Sequence, residues 1–341
     1  MLDEEEINAL LELLESKNKS YASYAQMLRA KGITDQSILE SGITITVKQS
    51  DFSGLVCAVD AGIYSEAFHG ADVVVSRTAA AIFLYEKNAL ASVSYLPSKF
   101  PRMKTSAKTG LDDYEVSVFK SLVRLHEEIS LAIKVLETKT PDVLLIDGSL
   151  LPLSNDRPDA GSVLVADYQL LVGLYKKLFS LAKEKNCLLI GVIKDSRGKR
   201  FVEMLSDEDY RQTCDSFFLD FLLNEGERTF AMKYSREPAK NSIMKDIGED
   251  AGNIALFYLK VSAEDRPLRV EFLGNKGNVE QIASLLYSLS LINKSYAYPS
   301  VLIEVDMCAA LGRNEVESIQ KSLAQRFNVL KSLRRNSRPF R

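Results

Sequence analysis

The chain has 341 residues, with 43 Lys and Arg against 46 Asp and Glu, 46% hydrophobic residues and 26% charged ones. Those are globular proportions, which exclude a disordered or fibrous chain, and a formal net charge of −3 leaves only a local basic surface for nucleic-acid binding. No apolar stretch approaches the roughly 18 residues of a membrane span, no C-x-x-C pair occurs, and the two histidines, His69 and His126, match no zinc spacing, so a soluble, reduced, cytoplasmic protein is expected.

Residues 1–48 form a helical extension in this reading. Apolar residues recur at helical spacing through "DEEEINALLELLESKNKSYASYAQMLRAKG", acids fill the first turn, and Gly32 is a stop, which predicts two helices. Their apolar stripe packs either at home or on a partner. A β-rich block comes next. "LVCAVDAG", "ADVVVSRTAAAIFLYEKN" and "ALASVSYLP" are apolar or β-branched and separated by turn formers, which suits an antiparallel meander. Residues 98–113 lack periodicity and carry Lys99, Arg102, Lys104 and Lys108, so a long basic loop is predicted there.

The segment "YEVSVFKSLVRLHEEISLAIKVLETK" repeats Val118, Leu122, Leu125, Ile129, Ala132 and Leu136 at steps of four and three and predicts a helix. It leads into "VLLIDGSLLP", an apolar strand ending on Asp147. A second helix over about 163–186 leads into "CLLIGVIKDS", a strand ending at Lys194 and Asp195. Helices alternating with all-apolar strands give α/β architecture. Residues 207–224 predict a helix, "RTFAMKYS", "IALFYLKVS" and "LRVEFLG" strands, and residues 233–245 a polar loop with Arg236, Lys240 and Lys245. A last helix starts with Asn314 and Glu317 as N-cap and N3. With no internal repeat or low-complexity linker, one elaborated domain over 49–330 is expected. The tail over 331–341 has five basic residues and no acid, and reads either as solvated or as phosphate-binding.

Asp60 and Asp147 both lie after apolar runs, and ligands gather at the carboxyl ends of strands in open α/β sheets. On neighbouring strands the two carboxylates would raise one another's pKa unless a cation lay between them. Taken singly, each also suits a turn or helix cap. Oxygen donors without histidine favour Mg²⁺ or Mn²⁺. A third acid is available in the helix before Asp147. Glu128 lies beside Leu125 and Ala132 on the core-facing stripe, and Glu127 points about 100° away; an exposed glutamate paired with Arg124 or Lys134 is the plain alternative. Strand–Asp, helix–Glu, strand–Asp suits two-metal phosphodiester hydrolysis.

These segments, "AVDAG", "HEEISLAIKVL" followed by "PDVLLIDGSLLP", "GVIKDS" and "SYAYPSVLIEVDMCAAL", together resemble the NurA nuclease family from about residue 50 to about residue 312. The resemblance implies a fold with an RNase H-like core, a mixed sheet flanked by helices, to which the N-terminal helical extension and inserted and C-terminal helices are added. It implies Mn²⁺- or Mg²⁺-dependent cleavage of DNA, single-stranded and at duplex ends, as a 5′-to-3′ exonuclease and single-strand endonuclease. It also implies a homodimer that works with a HerA-type hexameric ATPase in DNA end resection. Carried over residue by residue, Asp60 and Asp147 match metal-binding aspartates and Glu128 the helix glutamate, with Glu127 as the other register. Tyr298 matches the tyrosine of a Tyr-Pro motif, as a base-stacking ring, a hydroxyl donor to phosphate or water, or a packed core tyrosine. Asp306 falls where the family carries histidine or aspartate, as a further metal ligand. Lys194, at a strand end, is a candidate phosphate contact or a surface lysine. Two other classes remain at this point: an ATP-binding sugar-kinase or actin-like protein, for which "LIDGSLLP" makes a poor phosphate cradle, and a DNA-binding scaffold without catalysis.

Overall fold

The structure is a computed structural model that describes residues 3–68, 70–274 and 278–327; His69 and the predicted basic tail lie outside the described residues. The N-terminal stretch forms one helix, α1 (Glu4–Lys31), where two were predicted. Its polar middle contains no Gly or Pro to break it, and it stops at Gly32 with φ +74°. Next come β1 (Thr44–Thr46), β2 (Gly54–Ala67), β3 (Asp72–Glu86), β4 (Ala89–Leu96) and β5 (Lys104–Lys108).

β5 corrects the predicted loop over 98–113. β3 is 15 residues long, and β4 pairs only its Ala80–Glu86 half. The edge over Asp72–Ser76 would otherwise be open, and β5 pairs it.

α2 (Asp113–Lys139) is the predicted long helix. Its N-cap Asp112 accepts from the Glu115 backbone N–H at 2.8 Å, and the Glu115 carboxylate accepts from the Asp112 N–H at 3.1 Å, a capping box. After it come β6 (Val143–Asp147), α3 (Val165–Glu184) and β7 (Leu188–Ile193). The helix predicted over 207–224 is a 3₁₀ turn at Glu208–Gln212 followed by α4 (Asp215–Leu222). The predicted strand "RTFAMKYS" divides into β8 (Glu227–Thr229) and β9 (Met232–Lys233), because the Glu40 carboxylate takes the Ala231 N–H between them at 2.7 Å. α5 (Ser242–Ile247), β10 (Ile254–Lys260), β11 (Leu268–Leu273), α6 (Val279–Ser290), α7 (Ser300–Ala309) and α8 (Arg313–Phe327) complete the order. At the start of α8 the capping carboxylate is Glu315, which accepts from the Gly312 N–H at 3.0 Å. The cap therefore lies two residues before the predicted Asn314 and Glu317 pair.

The chain divides into two compact units. One comprises Met1–Asp51, Gly191–Glu237 and Asn253–Ser300. There β1, β8, β10 and β11 pair antiparallel in that order. The apolar stripe of α1 packs at home: Tyr24, Ala25 and Leu28 join Phe218, Leu219 and Leu222 of α4 in one buried cluster. Arg29 forks onto the Glu227 carboxylate at 2.7 and 2.8 Å.

The other unit comprises Phe52–Ile190, Pro238–Gly252 and Val301–Arg341. Its sheet runs β4-β3-β2-β6, and the Leu188–Ile190 part of β7 lies beside β6. β2 is antiparallel to β3 and parallel to β6, with α2 packed on β2 and β3 and α3 on α2. This is the mixed sheet flanked by helices, in RNase H-like order, that the family resemblance implies.

Two contacts in this unit fix where its acidic side chains fall. The Asp142 backbone N–H donates to the Leu55 carbonyl at 3.0 Å, and its carboxylate accepts from the Leu55 N–H at 2.7 Å. That clamp sets the β2·β6 register, which runs from Val56↔Val143 to Val59↔Ile146. Gly62 is the second: a Cβ there would lie 2.3 Å from the Ala309 carbonyl oxygen. Only a residue without a side chain lets the end of α7 touch β2. Gly62→Ala is expected to lower stability by about 1–3 kcal/mol, the usual cost of overpacking, read as a lower urea midpoint at unchanged slope.

Candidate metal centre

Asp60 does not end its strand, as the sequence suggested; β2 continues to Ala67 as a hairpin with β3. What ends there is the parallel partner. β6 stops at Asp147 and the chain turns away through Gly148, whose φ of +140° few other residues adopt. Because Val59 pairs with Ile146, the next residues in register are Asp60 and Asp147. α7 brings a third acid, Asp306. One carboxylate oxygen from each of Asp60, Asp147 and Asp306 lies within 4.8 Å of the others.

The placement of Asp306 has its own supports. Arg77, on β3 opposite Gly62, is 7% exposed. It donates to the Ala310 carbonyl at 3.0 Å, where α7 has just ended, and forks onto Glu315 of α8. A cation at a helix C-terminus also meets the negative end of its dipole. On α7 itself, Glu304 accepts from the Tyr95 hydroxyl at 2.5 Å and pairs with Lys99 at 2.9 Å.

α2 carries a further buried acid, Glu128, outside that group of three. Glu128 is 1% exposed, on the face with Leu125, Ile129 and Ala132. Its Oε2 accepts from Arg124 one turn earlier at 3.3 Å, while its Oε1 is buried with no hydrogen-bond partner. Glu127 points elsewhere and pairs with Lys104 at 2.5 Å. Between the two registers, Glu128 is the one on which the Asp60 and Asp147 charges act.

Burial pushes the Glu128 carboxyl up to about 8; Arg124 pulls the other way, and the Asp60 and Asp147 charges add to the rise. Burial, then the neighbouring Asp147 and Asp306, push Asp60 up to about 6, against the Ala61 N–H and Arg124. A buried carboxylate oxygen without a donor costs free energy, and so does a cluster of acids held together. A cation bound among Asp60, Asp147 and Asp306 removes the second cost. The donors are all oxygens, which fits Mg²⁺ or Mn²⁺.

Lys194 and Tyr298 belong to the other unit. Tyr298 is 2% exposed, and its hydroxyl donates to the Val192 carbonyl at 2.9 Å. The Lys194 ammonium lies 4.8 Å from the centre of that ring and donates to the Tyr296 hydroxyl at 3.3 Å. Tyr298 thus presents a ring face to a cation, not an open surface to a base. The more exposed aromatic is Tyr296, at 41%, which the sequence motif passes over. Arg124 was legible only as a possible partner of a glutamate. Among the basic residues of 98–113, Lys99, Lys104 and Lys108 are paired with Glu304, Glu127 and Asp167. The buried thiols of Cys57 and Cys187 are pushed up to about 12 by burial, as inert core cysteines. No described helix is long and apolar enough to cross a membrane.

Fold and site define a class: an RNase H-like α/β protein with an acidic cluster where its parallel strand pair ends. A family model described as the NurA domain matches residues 54–311, and the chain belongs to the NurA nuclease family. The NurA nuclease from Sulfolobus solfataricus is similar in structure, with a TM-score of 0.59, 16% identity, and 96% of this chain and 98% of that chain covered. A NurA structure bound to dAMP and manganese matches at a TM-score of 0.59 and 10% identity over 96% and 98% of the two chains. A third NurA structure matches at 0.55 and 11% identity over the same shares. No curated protein matches the sequence.

For metal-free protein the sign of the pH dependence is set by Glu128. Below about pH 4.5 its carboxyl is protonated in folded and unfolded chains alike and costs nothing. As pH rises the unfolded chain releases the proton while the folded carboxyl, at about 8, retains it, so stability falls across that window. In EDTA the Tm is expected to drop between pH 5 and pH 8.5, and Glu128→Gln to flatten that drop; an equally steep drop in the variant would remove Glu128 as its cause.

Proposed function

We propose that the chain is a divalent-metal-dependent deoxyribonuclease. The observation that carries this reading is the convergence of Asp60, Asp147 and Asp306 within 4.8 Å beside a buried, unpartnered oxygen of Glu128. Asp60, Glu128, Asp147 and Asp306 would hold Mn²⁺ or Mg²⁺. When bound, the metal supplies Lewis-acid stabilisation of the charge that gathers on the phosphate oxygens. The chain's own residues set the stage for it. Arg124 holds Glu128 in one orientation and offsets part of the acidic charge. Arg77 and Gly62 keep α7, and with it Asp306, against β2. In the other unit, the Lys194 ammonium over the Tyr298 ring is assigned by the family resemblance to a phosphate of the DNA.

The finer reading rests on family membership. The chain acts on single strands and duplex ends as a 5′-to-3′ exonuclease and single-strand endonuclease, as a cytoplasmic homodimer with a HerA-type hexameric ATPase in end resection. A relative described as bound to dAMP and manganese supports a nucleotide substrate and makes Mn²⁺ the first cation to test.

The test is hydrolysis of labelled DNA. Cleavage is expected with Mn²⁺ and none with EDTA. Asp60→Asn and Asp147→Asn are each expected to lower it by more than about 10²-fold, beyond what loss of an outer-sphere partner costs. Both variants should fold in EDTA and lose the rise in Tm that Mn²⁺ gives the wild type. Wild-type cleavage by either variant would sink the assignment.

A further inference from the structure

A cleft of about 520 Å³ opens between β3, the segment before β5, and α2. It lies in the same unit as the acidic cluster, and none of the groups placed in that cluster lines it. Its walls are of two kinds. Pro101, Met103 and Leu131 form an apolar surface, with Met103 38% exposed. Arg102 and Lys134 supply positive charge.

Charge sets these two side chains apart. Three of the four cations in the 98–113 segment are neutralised by carboxylates. Arg102 is the fourth, and neither it nor Lys134 has an acidic partner among the described residues. The cleft therefore offers two positive charges without acidic partners and an apolar wall within one concavity. Its volume is in the range of sites that take small organic ligands.

We propose that this cleft is a subsite for one nucleotide of a single DNA strand, separate from the metal centre. The flanking phosphates lie on Arg102 and Lys134, and the base lies against Met103 and Leu131. The requirement is an anion on both sides of a flat apolar group, which is the repeating chemistry of a single strand. A duplex keeps its bases stacked inside and cannot present that group. The path to the metal centre is short in sequence: Glu127 lines the cleft, and Glu128, the next residue of α2, is the buried acid on which the Asp60 and Asp147 charges act. A strand seated here is thereby held next to the helix that carries a metal ligand. This inference rests on the nuclease reading for its biological sense but not for its test.

The test is fluorescence anisotropy of a labelled oligothymidylate with the full chain in EDTA, over a series of salt concentrations. Arg102→Ala combined with Lys134→Ala is expected to weaken binding at least tenfold. It should also lower the salt slope by about 1.4, two phosphate contacts at about 0.7 each on single strands. Met103→Ala is expected to weaken binding several-fold without changing the slope, which a mere loss of charge would not do. Lys87→Ala removes an exposed charge from the β3–β4 turn outside the cleft and is expected to change neither. Unchanged affinity and slope in the double variant would overturn the proposal. So would a loss in Lys87→Ala equal to that in the double variant. Hydrolysis of bis(p-nitrophenyl) phosphate by the wild-type chain with Mn²⁺ reads the metal centre by itself. Absence of that hydrolysis with the binding results intact would sink the nuclease reading and leave the subsite standing.

Discussion

The parallel register between β2 and β6 is the constraint on which the rest depends. Side chains alternate along a strand, so a slip by one residue would turn every β6 side chain to the other face. Asp147 would then leave Asp60, and the core residues Leu144 and Ile146 would exchange places with their neighbours. Two hydrogen bonds between Asp142 and Leu55 hold one end of the pair. The four apolar residues Val143–Ile146, all buried, hold the rest. The carboxylates meet one residue beyond the last pairing, where β6 has ended and β2 has not. That asymmetry opens space beside Asp60 for something other than a strand.

What fills the space is α7. Its end touches β2 at Gly62 and is tied by Arg77 to β3 and by Glu304 to Tyr95 of β4. Three neighbouring strands thus hold one short helix, and the exposed acid on it, Asp306, meets two acids from the sheet. The arrangement is costly without a cation. Burial and mutual repulsion raise Asp60 and Glu128 above the ordinary carboxylate range, and one oxygen of Glu128 is left without a donor. Stability given up at a cluster of groups whose interactions are satisfied by a ligand is the pattern of a binding site, since a structural role alone would favour apolar replacements.

Much of this was legible in the chain itself. The heptad-like stripe of α2 announced its length and its buried face, and it put Glu128 beside Leu125 and Ala132 before any fold was known. The apolar runs before Asp60 and Asp147 announced buried strands. Other features were not legible, for identifiable reasons. β5 has weak strand character and exists because half of the β3 edge needs a partner. The cap of α8 lies at Gly312 and Glu315 because Glu315 also has Arg77 to bind. Tyr298 looked equally suited to a base, a phosphate or the core, and only its hydrogen bond to Val192 and the ammonium over its ring distinguish these.

The sequence by itself determined the α/β class, the family and the acids in play, because these depend on residue type and on periodicities of two and 3.6 along one element. The tertiary structure alone decided which acids meet, which of Glu127 and Glu128 faces them, and which cations of the basic segment stay unpaired. Those are distances between residues far apart in the chain. They are set by strand register, by a single close approach at Gly62 and by the competition of nearby carboxylates for each lysine, none of which leaves a local signal in the order of the amino acids.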